Sequence, residues 1–388
     1  MFATRAMGPL AAAAMMLAFT GTACAQDASA DEKDSSAEFD NTKPLLPVAP
    51  PPPIALVPDS AELPETSAQA ADQKLYRIAL NLARSECDAD DGKSCALGGE
   101  ILYYGYGEVE KDVEATIPLF EKGCALEYLS ACNLLAIAQY DTDKSEESHA
   151  ASTQLLFDTC DKGYGYACSN AGFRSENGIG VPLDKARARG MYIKACDVGY
   201  GGGCLNAATA FANAIGGPKN EKRSYEFYGR ACDLESLEGC FWKAYYEERG
   251  RAGLMPNAKG SAAQYDALCD KAHAQACAAL GWMLQKGKGR GIKKDRDRAR
   301  KLYLRACTLG SANSCNNLGI MHEYGEGGPT NYKAAVLLFE RGCEAGGAGA
   351  CNSMARMHTN GKGVARSLGA AAAYRERACE LGWERACK

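Results

Sequence analysis

Nine pairs of cysteines recur through the chain, each with seven residues between its members. The pairs are Cys87 and Cys95, Cys124 and Cys132, Cys160 and Cys168, Cys196 and Cys204, Cys232 and Cys240, Cys269 and Cys277, Cys307 and Cys315, Cys343 and Cys351, and Cys379 and Cys387. Successive pairs begin 36 to 38 residues apart. A fixed period of this size marks a solenoid, in which each repeat is one supersecondary unit and neighbours bury its apolar face. The 388 residues therefore do not count out as two or three globular domains, because a solenoid grows by stacking.

Alignment on the second cysteine places a small residue just before it in every pair: Ser94, Ala131, Ala167, Gly203, Gly239, Ala276, Ser314, Ala350 and Ala386. Four residues after it stand Gly99, Ala136, Gly172, Ala208, Ala244, Gly281, Gly319 and Ala355. On a helix the cysteine and this residue share a face, one turn apart. The second cysteine is thus read as opening a helix A that presses closely on a neighbour. Four residues before the first cysteine stand Phe120, Leu156, Tyr192, Tyr228, Tyr265, Tyr303 and Phe339, the buried stripe of a helix B. Glycine three residues after the first cysteine (Gly163, Gly199, Gly310, Gly346, Gly382) suits a left-handed helix end. Glycine turns such as "ENGIGVPLD" join A to B, and the aspartate that follows is a natural N-cap.

On this reading the seven residues inside each pair form the turn from one helix B to the next helix A. A disulfide within each pair then staples that turn, with a chain-entropy contribution of about 2.5 kcal/mol for so short a loop. The four histidines (His149, His273, His322, His358) follow no repeat register, and zinc would need closer cysteine spacing, so no metal or cofactor is expected.

The compartment follows from the N-terminus. Residues 1–25 read as a signal peptide, with Arg5 ahead of the apolar run "PLAAAAMMLAF" and "ACA" before Gln26. The second choice is an outer-membrane lipoprotein, with "GTAC" as a lipobox and Cys24 lipidated. Either way the chain is expected to be exported, to the periplasm or beyond, where thiols oxidise. Residues 26–70 form a disordered acidic and Pro-rich tether whose stretch "PLLPVAPPPPIALVPDSAELP" holds eight prolines. Residues 71–388 form the repeat array. The net charge of −4 offers no general attraction for nucleic acid, and the basic run at 286–301 carries its own aspartates.

The pattern C-x-x-L-G-x-x-x-x-x-G-x-G … D-x-x-x-A-x-x-x-Y-x-x-A-C-x-L-G resembles the Sel-one-like repeat, a relative of the tetratricopeptide repeat. With its C-x7-C pairs the chain is similar to the cysteine-rich branch typified by Helicobacter cysteine-rich proteins. The resemblance covers residues 71–388 and implies an all-α, right-handed α/α superhelix of about eight 36-residue repeats with a concave binding face. Three stretches depart from the pattern and lose the G-x-G turn: 140–154, 215–224 and 250–264.

Some members of that branch carry a β-lactamase or penicillin-binding label. Here no serine has lysine three residues on, S-D-N and K-T-G are absent, and "HEYGE" at 322 lacks the second histidine of a zinc-protease motif. The stronger signal is asparagine just after the helix-A cysteine: Asn133, Asn170, Asn206, Asn316, Asn317 and Asn352. An amide both donates and accepts, so a row of them suits the backbone of an extended peptide whatever its sequence. The other reading of these residues is local bonding to turn carbonyls at helix starts. The expectation is a monomeric, non-catalytic scaffold that binds peptides or proteins on its concave face. The alternatives are an enzyme acting on β-lactams or peptidoglycan, and a purely structural envelope spacer.

Overall fold

A computed structural model describes residues 65–287 and 291–387. The expected signal peptide, Cys24 and the expected tether up to residue 64 lie outside the described residues. The described chain falls into a longer unit that ends at Leu302 and a shorter one that begins at Tyr303.

The longer unit holds α1 (Ser67–Asp72), α2 (Tyr76–Asp88), α3 (Gly92–Tyr104), α4 (Ile117–Ala125), α5 (Leu129–Thr142), α6 (Glu146–Asp161), α7 (Gly165–Asn177), α8 (Lys185–Asp197), α9 (Gly201–Ala212), α10 (Glu221–Asp233), α11 (Leu237–Arg249), α12 (Ala258–Asp270) and α13 (Ala274–Lys286). The boundary falls within α14 (Arg296–Thr308). The shorter unit continues with α15 (Ala312–Tyr324), α16 (Tyr332–Glu344), α17 (Ala348–Asn360) and α18 (Leu368–Glu380). Among the described residues there is no strand. The odd-numbered helices from α3 onward are the A helices, and the even-numbered ones are the B helices. In the longer unit each A helix from α3 to α11 packs on the B helix before it and the B helix after it. A helices of neighbouring repeats also touch, as α7 does with α9 and, in the shorter unit, α15 with α17. This is the consecutive helix-pair packing of an α/α solenoid.

The junctions repeat one backbone motif nine times. At the first, the Asp90 N–H bonds to the carbonyl of Cys87 and the Asp91 N–H bonds to that of Glu86. This is a Schellman ending, which satisfies two of the carbonyls a helix leaves unpaired. The same two bonds recur at every pair through Gly382 to Cys379 and Trp383 to Ala378. The left-handed residue is glycine at five junctions and Asp90, Glu127, Glu235 or Ala272 at the other four. The next residue is already the N-cap of the following A helix.

The predicted seven-residue turn is therefore corrected. Only three residues, such as 89–91, lie between the helices, and in the first eight pairs both cysteines sit inside helical segments, whereas Cys387 follows a short 3-10 turn at Glu384–Ala386. The first is the penultimate residue of helix B, and the second is the fourth residue of helix A rather than its first. A Schellman turn reverses the chain in so little length that the two helical cysteines meet. All nine pairs are bonded in register, with Cα–Cα separations of 4.4 to 5.0 Å.

The small positions have a steric cause. A Cβ on Gly99 would stand 2.2 Å from the Phe120 ring, and one on Gly319 would stand 2.5 Å from the Phe339 ring. Both rings are fully buried. Helix A can thus approach its own helix B only where it has little or no side chain. The three stretches that lose the glycine turn still carry complete helix pairs, because polar N-caps restart helix B: Ser145, Asn220 and Asn257 each accept a backbone N–H. Among the described residues the first helix, α1, opens with a capping box at Thr66 and Gln69. Near the other end Leu381 packs against the cluster of Cys343, Ala350, Cys351 and Ala378, whereas Trp383 stays 39% exposed.

Candidate functional site

The asparagines found in sequence lie on the A helices, and in the longer unit three of them take part in bonds between neighbours. Asn170 on α7 donates its side-chain amide to Oδ1 of Asn133 on α5, at 2.7 Å. Asn206 on α9 donates to Oγ of Ser169 on α7, at 2.9 Å. The shorter unit repeats the arrangement, with Ser353 Oγ on α17 donating to Oδ1 of Asn316 on α15 at 2.9 Å. None of these bonds goes to a turn carbonyl. The rule is that the residue two places after one cysteine meets the residue one place after the preceding helix-A cysteine. The alternation between those two places, visible in sequence, is therefore the two halves of one contact.

The pairing spends only half of each amide. Asn170 and Asn206 give a donor and keep an oxygen, while Asn133 and Asn316 give an oxygen and keep their N–H groups. Asn133 is 5% exposed, so its remaining groups are nearly covered. Asn170, Asn206, Asn316 and Asn352 are half-buried and face partly to solvent. Asn317 leaves the row and bonds Tyr303 instead.

A second cluster was not singled out in the sequence. Tyr128, Tyr164 and Tyr200 occupy the same place in three successive junctions, as N-cap residues of α5, α7 and α9. Tyr128 and Tyr200 set their Cβ atoms where the preceding A helix begins with glycine. A Cβ on Gly165 would lie 2.5 Å from that of Tyr200, and one on Gly92 would lie 3.1 Å from that of Tyr128. Tyr166 adds to them, with its ring 4.1 Å from Tyr200 and 5.6 Å from Tyr164. Tyr104 and Tyr106 stack at 5.5 Å at the end of α3. Glu100 of α3 is half-buried, and burial pushes its carboxyl up to about 7. The signal was present in the sequence as tyrosine four residues after the first cysteine in three consecutive pairs.

The histidines do separate structural tasks. His273 caps α13, with Nδ1 accepting the Ala276 N–H at 3.2 Å and Nε2 facing Glu238 at 3.1 Å. His358 stacks on Tyr374. His149 lies against Tyr140 at 4.6 Å, beside a cavity of about 640 Å³ in the degenerate 140–154 stretch. The guanidinium of Arg174, 5% exposed, covers the Tyr140 ring at 4.0 Å, and burial pushes its pKa down to about 10. Among the described residues no group of three histidine, cysteine or carboxylate side chains is arranged to hold a metal ion.

Two solved structures share this fold, at TM-scores of 0.60 and 0.55. No curated protein matches the chain by sequence. Among solved structures, a protective antigen of uropathogenic Escherichia coli strains that displays an SLR fold aligns with a TM-score of 0.60 at 21% identity. The alignment covers 79% of this chain and 65% of that one, so this chain spans less than two thirds of that protein. A Sel1 repeat protein from Oxalobacter formigenes aligns with a TM-score of 0.55 at 19% identity, over 64% of this chain and 96% of that one. Cysteine rich protein B of Helicobacter pylori matches 33% of this chain and 91% of its own at 24% identity, with a TM-score of 0.28. The Sel1 repeat itself matches at residues 95–128, 165–200, 203–236, 274–311, 312–347 and 348–383, more than half of the sequence. The chain belongs to the Sel1 repeat family.

Proposed function

We propose that the protein is an exported, monomeric, non-catalytic scaffold that holds an extended peptide, or an extended segment of a protein, against the concave face that neighbouring A helices line within a unit. Sel1 repeat proteins are in general scaffolds for protein interaction. The observation that carries the reading here is the row of half-spent amides. Asn170 and Asn206 are fixed by their bonds to the preceding helix, yet each keeps an acceptor, and Asn316 keeps donors. A side chain already held in one rotamer loses less entropy when it binds. Peptide backbone offers alternating N–H and C=O groups whatever its side chains, which matches the amides on the successive helices α5, α7 and α9. Export is supported by the apolar segment that follows Arg5 and by the eighteen cysteines, all paired within the described residues.

The test is a random peptide library panned against the oxidised protein, followed by Asn170→Ala, Asn206→Ala and Asn352→Ala. Each substitution is expected to weaken a selected peptide by about 0.5 to 1.5 kcal/mol. A library that yields no binder, or binders indifferent to all three changes, refutes the reading. Mass spectrometry of the protein from its native host tests the export step. A mature chain starting at Gln26 supports soluble export, a lipid on Cys24 supports membrane anchoring, and an intact N-terminus refutes both.

A further inference from the structure

The stretch 140–154 loses its glycine turn, and the loss opens a cavity. Three residues, 143–145, separate α5 from α6, whereas seven separate α7 from α8 and eight separate α9 from α10. A shared contact fixes the register. A glycine of the A-to-B turn rests on the start of the preceding helix B. A Cβ on Gly216 would lie 2.0 Å from the carbonyl oxygen of Lys185, and one on Gly180 would lie 2.0 Å from that of His149. Lys185 and His149 each stand eleven residues before the first cysteine of their pair. Lys185 is the first residue of α8, but His149 is the fourth of α6. Helix α6 therefore carries an extra turn, residues 146–148, in place of the missing loop.

A cavity of about 640 Å³ lies between this extra turn, Tyr140 near the end of α5, and the 178–182 loop of the next repeat. The loop is held in place, since the buried Thr153 of α6 donates Oγ1 to the Ile179 carbonyl at 3.0 Å. The walls have two characters. Ile179 and Val181 offer aliphatic surface, while Glu146, Glu147 and His149 offer polar groups. Neither glutamate has an ion pair or a hydrogen bond among the described residues. His149 Nε2 is shielded from solvent and also has no partner.

Two cations of the chain stand over the Tyr140 ring, Lys144 at 4.5 Å and Arg174 at 4.0 Å. Lys144 is tied there by its bond to the Tyr140 carbonyl at 2.6 Å and its ion pair with Asp141 at 4.0 Å. Asp141, Asp143, Glu146 and Glu147 outnumber these two cations, so the site attracts positive charge. Acids at a helix start ordinarily face water and favour the helix dipole. Here they also border an aliphatic recess that no described residue fills.

A long aliphatic stem ending in a cation matches both characters of the wall. A guanidinium suits it better than an ammonium, because its rigid fork of five N–H donors can serve two carboxylates and an imidazole nitrogen together. We propose that this cavity binds an arginine side chain displayed by a partner protein. The stem lies against Ile179 and Val181, and the guanidinium meets Glu146, Glu147 and His149. The site stands apart from the amide row, because Asn170 and Gly178 are eight residues apart along α7 and its cap, about 12 Å on the helix axis.

The test uses the full oxidised chain, ¹³C-labelled at histidine, at neutral pH. Nα-acetyl-arginine amide is titrated while the histidine ring signals are followed, with the citrulline analogue as an uncharged control. The signal lost in His149→Gln assigns His149. The arginine probe is expected to shift that signal saturably, and the citrulline probe is not. Joint Glu146→Gln and Glu147→Gln substitution is expected to weaken the arginine probe by at least about fivefold. Ala150→Leu fills the cavity from an exposed position on its wall and is expected to weaken the probe with no change of charge. Melting curves establish that both variants fold. No saturable shift, equal binding of the two probes, or unchanged affinity in either folded variant overturns the proposal. Nα-acetyl-lysine amide is expected to bind more weakly, and equal affinity overturns the assignment to arginine. Free arginine brings a carboxylate to this acidic site and is expected to bind more weakly than the amide. Tighter binding of the free amino acid overturns the protein partner.

Discussion

Replacing Ala272 by glycine is expected to stabilise the protein. Ala272 stands in the left-handed region at φ 62°, as the residue after the helix end in its junction, and it is exposed. A left-handed residue with a Cβ costs roughly 1 to 2 kcal/mol. Glycine escapes this cost but gives back about 0.5 to 1 kcal/mol through the greater freedom of the unfolded chain. The net gain is about 0.5 to 1 kcal/mol, a rise of roughly 2 °C in melting temperature for a unit of this size. The molecule supplies its own reciprocal control. Gly199 holds the same place in another junction of the same unit, at φ 87°, and a Cβ there would have no atom within 4 Å. Gly199→Ala therefore isolates the backbone effect and is expected to destabilise by the same amount. Urea unfolding with the disulfides intact measures both, and Glu235→Gly repeats the gain at a second exposed site. If Ala272→Gly destabilises, or if Gly199→Ala is neutral, the left-handed turn is not what limits stability at these junctions and the reasoning fails.

Other outcomes follow from the same structure. Glu100→Gln is expected to stabilise the protein above pH 7, because the folded carboxyl is raised to about 7. The folded state then loses stability as pH climbs from the unfolded value through the folded one, by up to about 3 kcal/mol. At about pH 4 both states are protonated and the substitution should change little, so an equal gain at both pH values contradicts the burial account. Gly319→Ala drives a methyl to 2.5 Å from the buried Phe339 ring and is expected to cost about 1 to 3 kcal/mol. Adding Phe339→Leu should recover part of that loss, and strict additivity would deny the contact. His273→Ala removes the cap on α13 and should cost about 1 kcal/mol, while His273→Asn keeps an acceptor and should cost less, as urea unfolding will read. Peptide mapping without reduction is expected to return nine disulfides, each within its own pair, and any bridge between pairs contradicts the staple.

The repeat was legible because its period, its small positions and its buried aromatics recur in the same register in one helix pair after another. Gly99 and Phe120 announce a close crossing even before the helices are placed. The length of the turn was not legible, since a spacing of eight between Cys232 and Cys240 fits an open loop as well as a Schellman reversal. Only the backbone bonds, such as Ser236 to Ala231, decide it. The asparagine row was visible, but its logic was not. Asn170 and Asn133 differ by one place in register because the contact joins two helices, and alignment within one repeat cannot reveal a partner in the next. The cavity beside Glu146 escaped for a similar reason. Its walls come from α5, α6 and the loop after α7, and in sequence the stretch reads only as a lost glycine turn.

The nearest-neighbour bridging has a consequence for how the chain acquires its cross-links. Each of the eighteen paired cysteines has its partner eight residues away, while the closest cysteine of another pair is 28 to 30 residues away. Loop closure alone then favours the native bond by about sixfold over the nearest competitor. If the chain is exported as proposed, threading through a translocation pore in order widens that margin, because a first cysteine meets its own partner well before any other emerges. Each bond, once made, takes both thiols out of circulation before the next pair appears. Oxidation can thus proceed as a zipper from the N-terminal side, and a simple oxidant can complete eighteen cysteines without an isomerase to correct them.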